Sequence, residues 1–340
     1  GKGAHRTFES QSTYILPVEG KEDAFIFMAD RWRPRNLGDS RYVWLPIHFE
    51  NGYPVLKWME NWSLETFDEL LPDKNDPTTY NGYNLVWNDE FDINGAPDSN
   101  VWSFEKGFVR NNELQWYQED NAVCNDGVLT ITARGERKDN PMYEAGSDFW
   151  AHKREKIEYS SSSIKTQGNK EFQYGRFEVR ARIPTAGGSW PAIWTLGTDM
   201  EWPSNGEIDI MEYYRIDGVP HILANTAWGT DTRFNAEWDS SATPFSYFTD
   251  KDPNWADKFH IWRMDWDEEA IRLYLDDELL NETLLSETIN GSLGDHKNPF
   301  MQPHYILLNL AIGGRHGGAL DVDAFPLNYE VDYVRVYQNK

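Results

Sequence analysis

Residues 205–214 read NGEIDIMEYY. Glu207, Asp209 and Glu212 interrupt a run that otherwise has the composition of a buried strand, with Ile208, Ile210 and Met211 between them. On a strand, successive side chains alternate between faces. Glu207 and Asp209 therefore share one face, and Ile208 and Ile210 point the other way. Glu212 lies five positions beyond Glu207, which puts it on the apolar face. One extra residue corrects the parity. A β-bulge at or near Met211 would turn Glu212 back, and bulges re-aim side chains in this way beside functional sites. The expectation is a strand with one face in a core and three aligned carboxylates on the other.

The same strand rhythm runs outward in both directions. It is carried by GVLTITAR at 127–134, YGRFEVRARI at 174–183, AIRLYLDDELL at 270–280, YILLNLAIGG at 305–314 and YEVDYVRVYQ at 329–338. Turn residues bound each run, the pattern of an antiparallel sandwich or barrel. Helical periodicity is scarce, and the best candidate is a short turn within DPNWADKFH, 252–260. The stretch LPDKNDPTTYNG, 71–82, is polar and holds two prolines. It divides the chain into a small β segment at 1–72, a linker at 73–82 and a larger β domain at 83–340. TYILPV, DAFIFMADRW, YVWLPIHFENG and YPVLKWM give the small segment three or four strands. A sheet of that size has an apolar face to cover, so it is expected to dock on the larger domain.

Composition narrows the function. The chain has 56 acidic and 32 basic residues, a net charge of −24, which argues against nucleic acid and anionic membrane as partners. No apolar run is long enough to predict a membrane span. Cys124 is the single cysteine, so no internal disulfide or cysteine zinc site is available. The opening GKGAHRTFES is not a signal peptide and reads as a cut within a longer protein. The 16 Trp, 17 Tyr and 17 Phe are many for so hydrophilic a chain, and point to a surface that stacks on sugar rings.

Three carboxylates on one face repel one another and give a strand nothing structural. A solvated strand edge is the plain alternative, but Trp190, Trp194, Trp202, Tyr213 and Tyr214 flank the segment. A metal site is a second alternative, although no further acid or Asn cluster adjoins the three. Glycoside hydrolysis is the third. A retaining glycosidase places two carboxyl groups about 5–5.5 Å apart, one a nucleophile and one an acid that becomes a base. Four strand steps separate the α-carbons by about 13 Å, so a concave sheet must lean the side chains together. Neighbouring negative charge raises the acid's pKa, and Asp209 between the pair couples the group.

EIDIME resembles the hallmark of glycoside hydrolase family 16, E-x-D-x-x-E in its bulged form, the family of laminarinases, lichenases, agarases and related galactan hydrolases. The likeness covers roughly residues 83–339. It runs through LVWNDEFD, NNELQWY, YGRFEVRARIP, SWPAIWTLG, FHIWRMDW, YILLNLAIGG and VDYVRVYQ in order. It implies a β-jelly roll, two antiparallel sheets with a concave cleft. By position, Glu207 resembles the nucleophile, Asp209 the assisting acid and Glu212 the acid/base. Trp194 and Trp202 resemble aromatics lining the central subsites; Trp190, Asn111 and Glu113 match stations that touch sugar. Catalysis needs no cofactor in this family, but a structural Ca2+ is implied, with Asp332 as side-chain ligand and carbonyls near Glu90 and Gly127. The resemblance further implies a monomer that is secreted, periplasmic or on the cell surface.

One departure bears on substrate. Laminarinase-like members carry T-x-H on the next strand, where this chain has Thr226 and then Trp228, a ring in place of an imidazole. A second resemblance lies at 25–58, similar to the end of a family 43 β-propeller that acts on arabinogalactan. A segment this short cannot build a whole propeller, so it is expected to be inactive alone. Together these favour a retaining endo-β-glycosidase on internal β-1,3 bonds of β-1,3-galactan. Laminarin or mixed-linkage β-glucan is the alternative, with agar-type or mucin-type galactans behind. A non-catalytic carbohydrate-binding protein and a transglycosylase are the other classes. Trp150 and His152 in the 146–163 insertion, Arg315 and His316 in GGRHGG, and His221 are further candidates to reach the cleft.

Overall fold

The computed structural model describes residues 8, 10–21, 24–32, 38, 40–50, 53–59, 61–67, 80 and 82–339. The chain divides into two compact units, Gly1–Asn84 and Leu85–Lys340. Apart from residues 80 and 82, the expected linker at 73–82 lies outside the described residues.

In the first unit Gln11–Pro17, Phe25–Arg31, Arg41–Glu50 and Tyr53–Leu56 form an antiparallel sheet in sequence order. Alternation serves both faces. Phe27 and Ala29 join Val43, Leu45 and Ile47 in one apolar cluster. Ile26, one position out of phase, joins Val18, Ala24 and Phe67 in another.

The second unit is a sandwich of two sheets, a β-jelly roll as expected. The first is ten-stranded. Its main path runs Glu278–Leu284, Ala270–Leu275, His260–Trp266, Gly175–Arg182, Leu327–Asn339, Val128–Asp139, Lys156–Ser161 and Gln115–Tyr117, with only the last pairing parallel. The second sheet is eight-stranded. Its main path runs Ala236–Pro244, Val219–Gly229, Glu207–Ile216, Ser189–Gly197, His304–Ile312, Ser163–Lys165 and Ser103–Phe104. Period-two patterning explains the assembly. On Gly175–Arg182, Phe177, Val179 and Ala181 enter the core between the sheets. Arg176, Arg180 and Arg182 point outward to Asp265, Asp332 and Glu330. The expected turn within 252–260 is a short 3-10 turn at Trp255–Asp257.

His304–Ile312 is buried along its whole length because both faces are used. Ile306, Leu308, Leu310 and Ile312 feed the central core. Tyr305 and Leu307 meet Ala192 and Trp194 in a separate cluster on the opposite face. That opposite face of the second sheet holds the site.

Candidate active site

The bulge sits where parity demands it. Asp209 pairs with Trp194 and Met211 with Ile193 on one side. On the other, Asp209 pairs with Asn225 and Glu212 with Leu223, so Ile210 and Met211 together oppose Ala224. Ile208, Ile210, Met211 and Tyr213 all lie in the core. A one-residue slip would expose such side chains at about 1.5–3 kcal/mol each, which fixes the register. Glu207, Asp209 and Glu212 consequently line one cavity of about 670 Å³.

Each outer acid receives an indole N–H. Trp202 Nε1 donates to Glu207 Oε2 at 2.7 Å, and Trp190 Nε1 donates to Glu212 Oε1 at 2.9 Å. Asn225 Nδ2 donates to Glu212 Oε2 at 3.2 Å and lies 3.5 Å from Asp209 Oδ2. Burial raises all three pKa values. Asp209, 2% exposed, goes well above the ordinary carboxylate range, because burial is joined by the charges of Glu212 and Glu207. Glu212 rises to about 7, through burial first and then Glu207, against the bonds from Trp190 and Asn225. Glu207 is raised by burial but pulled back by Trp202, by the positive charge of Arg110 and by its bond with Asp209. A protonated Asp209 thus donates to Glu207, and Glu212 keeps a proton to near neutral pH.

Trp194 is held from two sides. Its Nε1 donates to Asn309 Oδ1 at 2.7 Å, and the Arg110 guanidinium lies 5.0 Å above its ring. Arg110 in turn pairs with Glu105. Asn309 Nδ2 donates to Tyr117 Oη at 3.2 Å, and Tyr117 Oη donates to Glu113 Oε2 at 3.3 Å. An acid able to protonate a leaving group, a neighbouring carboxylate and an apolar, tryptophan-rich wall suit acid-assisted cleavage of a glycosidic bond.

The glycosyl hydrolases family 16 model matches residues 110–335. The chain belongs to that family. It is 36% identical to a β-glucanase of Rhodothermus marinus over 275 residues, 75% of this chain and 85% of the relative. Several other curated relatives are longer, and the chain spans 38%, 34% and 55% of three of them. Among solved structures, the laminarinase catalytic domain of Thermotoga maritima MSB8 is similar at 30% identity and TM-score 0.61, over 76% of this chain and 99% of that one. A structure from work on endo-acting O-glycanases, with which members of the human gut microbiota initiate mucin breakdown, matches at 33% identity and TM-score 0.67. It covers 76% of this chain and 92% of that one. As a family 16 member the protein is a glycoside hydrolase with endo-β-glycosidase activity, of a family that retains anomeric configuration.

Family 16 stations Asn111, Glu113, Trp190, Trp194 and Trp202 all line the cavity beside the three acids, as do Arg315 and His316. Trp228 does not. Counting by twos from Asn225, which lines the cavity, Ala227 faces the cleft and Trp228 faces the core, where it packs. The supposed ring-for-imidazole exchange is corrected: Ala227 stands opposite Glu207. His221 is outside the cavity lining and bonds locally to the Val219 carbonyl at 2.8 Å. Trp150 and His152 lie outside it too; Trp150 packs under Arg154, which donates to the carbonyls of Asn112 and Glu113.

Sequence reasoning missed Arg110, Asn225, Asn309 and Trp238 in the cavity wall. Asn309 left a signal, a lone amide inside the apolar run YILLNLAI. Asn225 could have been placed by pairing its strand onto Glu207–Ile216.

The residues proposed for calcium fit such an ion in part. A Cβ built on Gly127 would lie 3.8 Å from the Glu90 carbonyl oxygen and 3.8 Å from Asp92 Oδ1, so two oxygens border this turn. Asp332 Oδ2 is already taken by Arg180 Nη1 at 2.6 Å, and the Glu90 carboxylate by Arg335. Among the described residues no group of three His, Cys, Asp or Glu side chains forms a metal cage.

Proposed function

We propose that the protein is a retaining endo-β-1,3-glycanase whose first substrate is a β-glucan of the laminarin or mixed-linkage kind. Glu207 attacks the anomeric carbon while Glu212 gives its proton to the departing glycosidic oxygen. A glycosyl ester on Glu207 and a shortened chain result. Glu212, now a carboxylate, takes a proton from water; the water oxygen attacks the anomeric carbon and Glu207 leaves. Asp209, kept protonated, steadies the charge on Glu207 by donating to it. The observation that carries this is the bulge that brings Glu207, Asp209 and Glu212 onto one wall of the cleft, with Trp202 Nε1 donating to Glu207 and Trp190 Nε1 to Glu212.

The Rhodothermus marinus β-glucanase and the Thermotoga maritima laminarinase support a glucan. A galactose polymer, β-1,3-galactan above all, is the second reading. A 31% identical relative, the keratan-sulfate endo-1,4-β-galactosidase of Sphingobacterium multivorum, favours it, as does the family 43-like stretch at 25–58. A polymer substrate also supports placing the enzyme outside the cytoplasm, in the periplasm or at the surface. No helix among the described residues is long and apolar enough to cross a membrane.

Product profiling tests the reading. Wild type and Glu207→Gln are incubated with laminarin, mixed-linkage β-glucan, debranched β-1,3-galactan and a mucin O-glycan. Oligosaccharides of mixed length from a glucan, absent in the variant, are expected. Galacto-oligosaccharides alone would transfer the assignment to the second reading. Exo-type release of single sugars would overturn the endo assignment.

A further inference from the structure

We infer that Trp238 is a sugar-binding platform, forming a subsite on the edge strand beyond the reacting ring; this rests on the glycanase reading above. One ladder row crosses the cleft face through four strands: Leu196 pairs with Glu207, Glu207 with Ala227, and Ala227 with Trp238. Leu196, Glu207 and Trp238 all line the cavity. Ala227 between the last two is fully buried. With only a methyl there, the row dips between Glu207 and Trp238. At strand spacings of about 4.8 Å, Trp238 stands roughly 10 Å across the sheet from the strand of Glu207.

The four tryptophans of the cavity wall differ in what they have left to offer. Trp190, Trp194 and Trp202 donate their N–H groups to Glu212, Asn309 and Glu207. Among the described residues, the Trp238 N–H meets no acceptor and its ring stacks on no other ring or cation. It is 45% exposed, far more than Trp190 at 6% or Trp194 at 8%. An indole with a free face and a free N–H, in the wall of a polysaccharide cleft, is suited to stack on a hexose and bond to its hydroxyls. Ser240, two positions along, lines the same wall and adds a hydroxyl.

A structural duty for Trp238 is hard to find. Edge strands are guarded against pairing by charge, and Glu237 and Asp239 already flank it. A bare indole makes an edge stickier. Trp194 and Trp238 lie on opposite sides of the strand that carries the acids. The bound chain therefore crosses that strand from one tryptophan to the other.

The test compares Trp238→Ala and Trp238→Phe with wild type on the polymer the enzyme cleaves, and titrates oligosaccharides calorimetrically into the same forms carrying Glu207→Gln. Trp238→Ala should raise KM roughly tenfold while kcat stays within about threefold, and weaken oligosaccharide binding in proportion. Trp238→Phe should recover most of both, since the stacking face returns. Unchanged KM and affinity in Trp238→Ala, or a loss confined to kcat, would overturn the platform. Thermal unfolding of each variant keeps misfolding from passing as either result. Cleavage of no polymer by wild type would sink the glycanase reading; cleavage that Trp238→Ala leaves unaltered would sink the subsite alone. Oligosaccharides that bind no form of the protein would overturn the platform, while polymer cleavage by wild type would still uphold the glycanase reading.

Discussion

The indole N–H of Trp202 donates to Glu207 Oε2 at 2.7 Å. This bond lowers a pKa that burial raises, so it keeps the carboxylate ionised where a nucleophile must be. Removing it in Trp202→Phe should push the Glu207 pKa up. The acid limb of kcat/KM should then move to higher pH. The rate at the optimum should fall about tenfold, the cost of one charge-assisted hydrogen bond. A pH–rate profile of the variant decides it; an unmoved acid limb would leave Trp202 as a wall residue only.

Glu212 sets the alkaline limb. It must carry a proton to cleave, and its pKa is raised to about 7. Activity should therefore fall as pH rises through about 7. Trp190 and Asn225 bond to the charged form and lower this pKa, so Trp190→Phe should shift the limb upward. Glu212→Gln should abolish the limb and most of the activity, with partial return on an aryl glycoside whose leaving group needs no proton. A limb that stays in place in Trp190→Phe would separate the indole from the acid.

The same burial costs stability. A carboxyl whose folded pKa exceeds its unfolded value binds more protons when folded, so it stabilises at low pH and loses that contribution as pH rises to the folded value. For Glu212 the window runs from the ordinary 4.5 to about 7. Glu212→Gln, which carries no charge at any pH, should match wild type in Tm near pH 4. It should exceed wild type by several degrees above pH 8. Calorimetry at both ends measures it, and equal Tm values at high pH would mean the acid is better solvated than its surroundings imply.

Much of this was legible in the sequence because strand parity is strict. Two acids two apart and a third five away force either a bulge or a wasted carboxylate, and the bulge at Ile210–Met211 is there. The same strictness governs Thr226 and Trp228. They are two apart and share a face, but that face is the core, because Asn225 takes the cleft. The T-x-H spacing alone does not say which face it occupies; the register against Glu207–Ile216 does. Arg110, Asn309 and Trp238 were harder. Asn309 enters through the pairing of Ser189–Gly197 with His304–Ile312, Trp238 through that of Val219–Gly229 with Ala236–Pro244, and Arg110 from a loop segment held by Glu105 and lying over Trp194.

Calcium has a sharp test in the Arg180–Asp332 pair. The Glu90 carbonyl and Asp92 Oδ1 border the Gly127 turn, and Asp332 could serve a cation only if it were drawn from Arg180. Calcium over chelator should raise Tm modestly in wild type. The response should be larger in Arg180→Met, where the carboxylate is released. Identical Tm values with calcium and with chelator in both proteins would remove the ion from this fold.

Trp228 separates packing from recognition. It packs against the central core and lies outside the cavity lining. If it chose the polymer, Trp228→Ala would change the ratio of kcat/KM between laminarin and β-1,3-galactan. Its position predicts a different pattern. Truncation leaves a hole beneath the strand that carries Asn225 and Ala227, at a cost of about 2–3 kcal/mol for a partly buried ring. Tm should fall by several degrees. The polymer ratio should stay put, because a core cavity weakens the sheet without reshaping the cleft for one sugar over another. Trp228→Phe should return most of the stability. A polymer ratio that shifts while Tm holds would restore Trp228 to the cleft and overturn the parity argument that removed it.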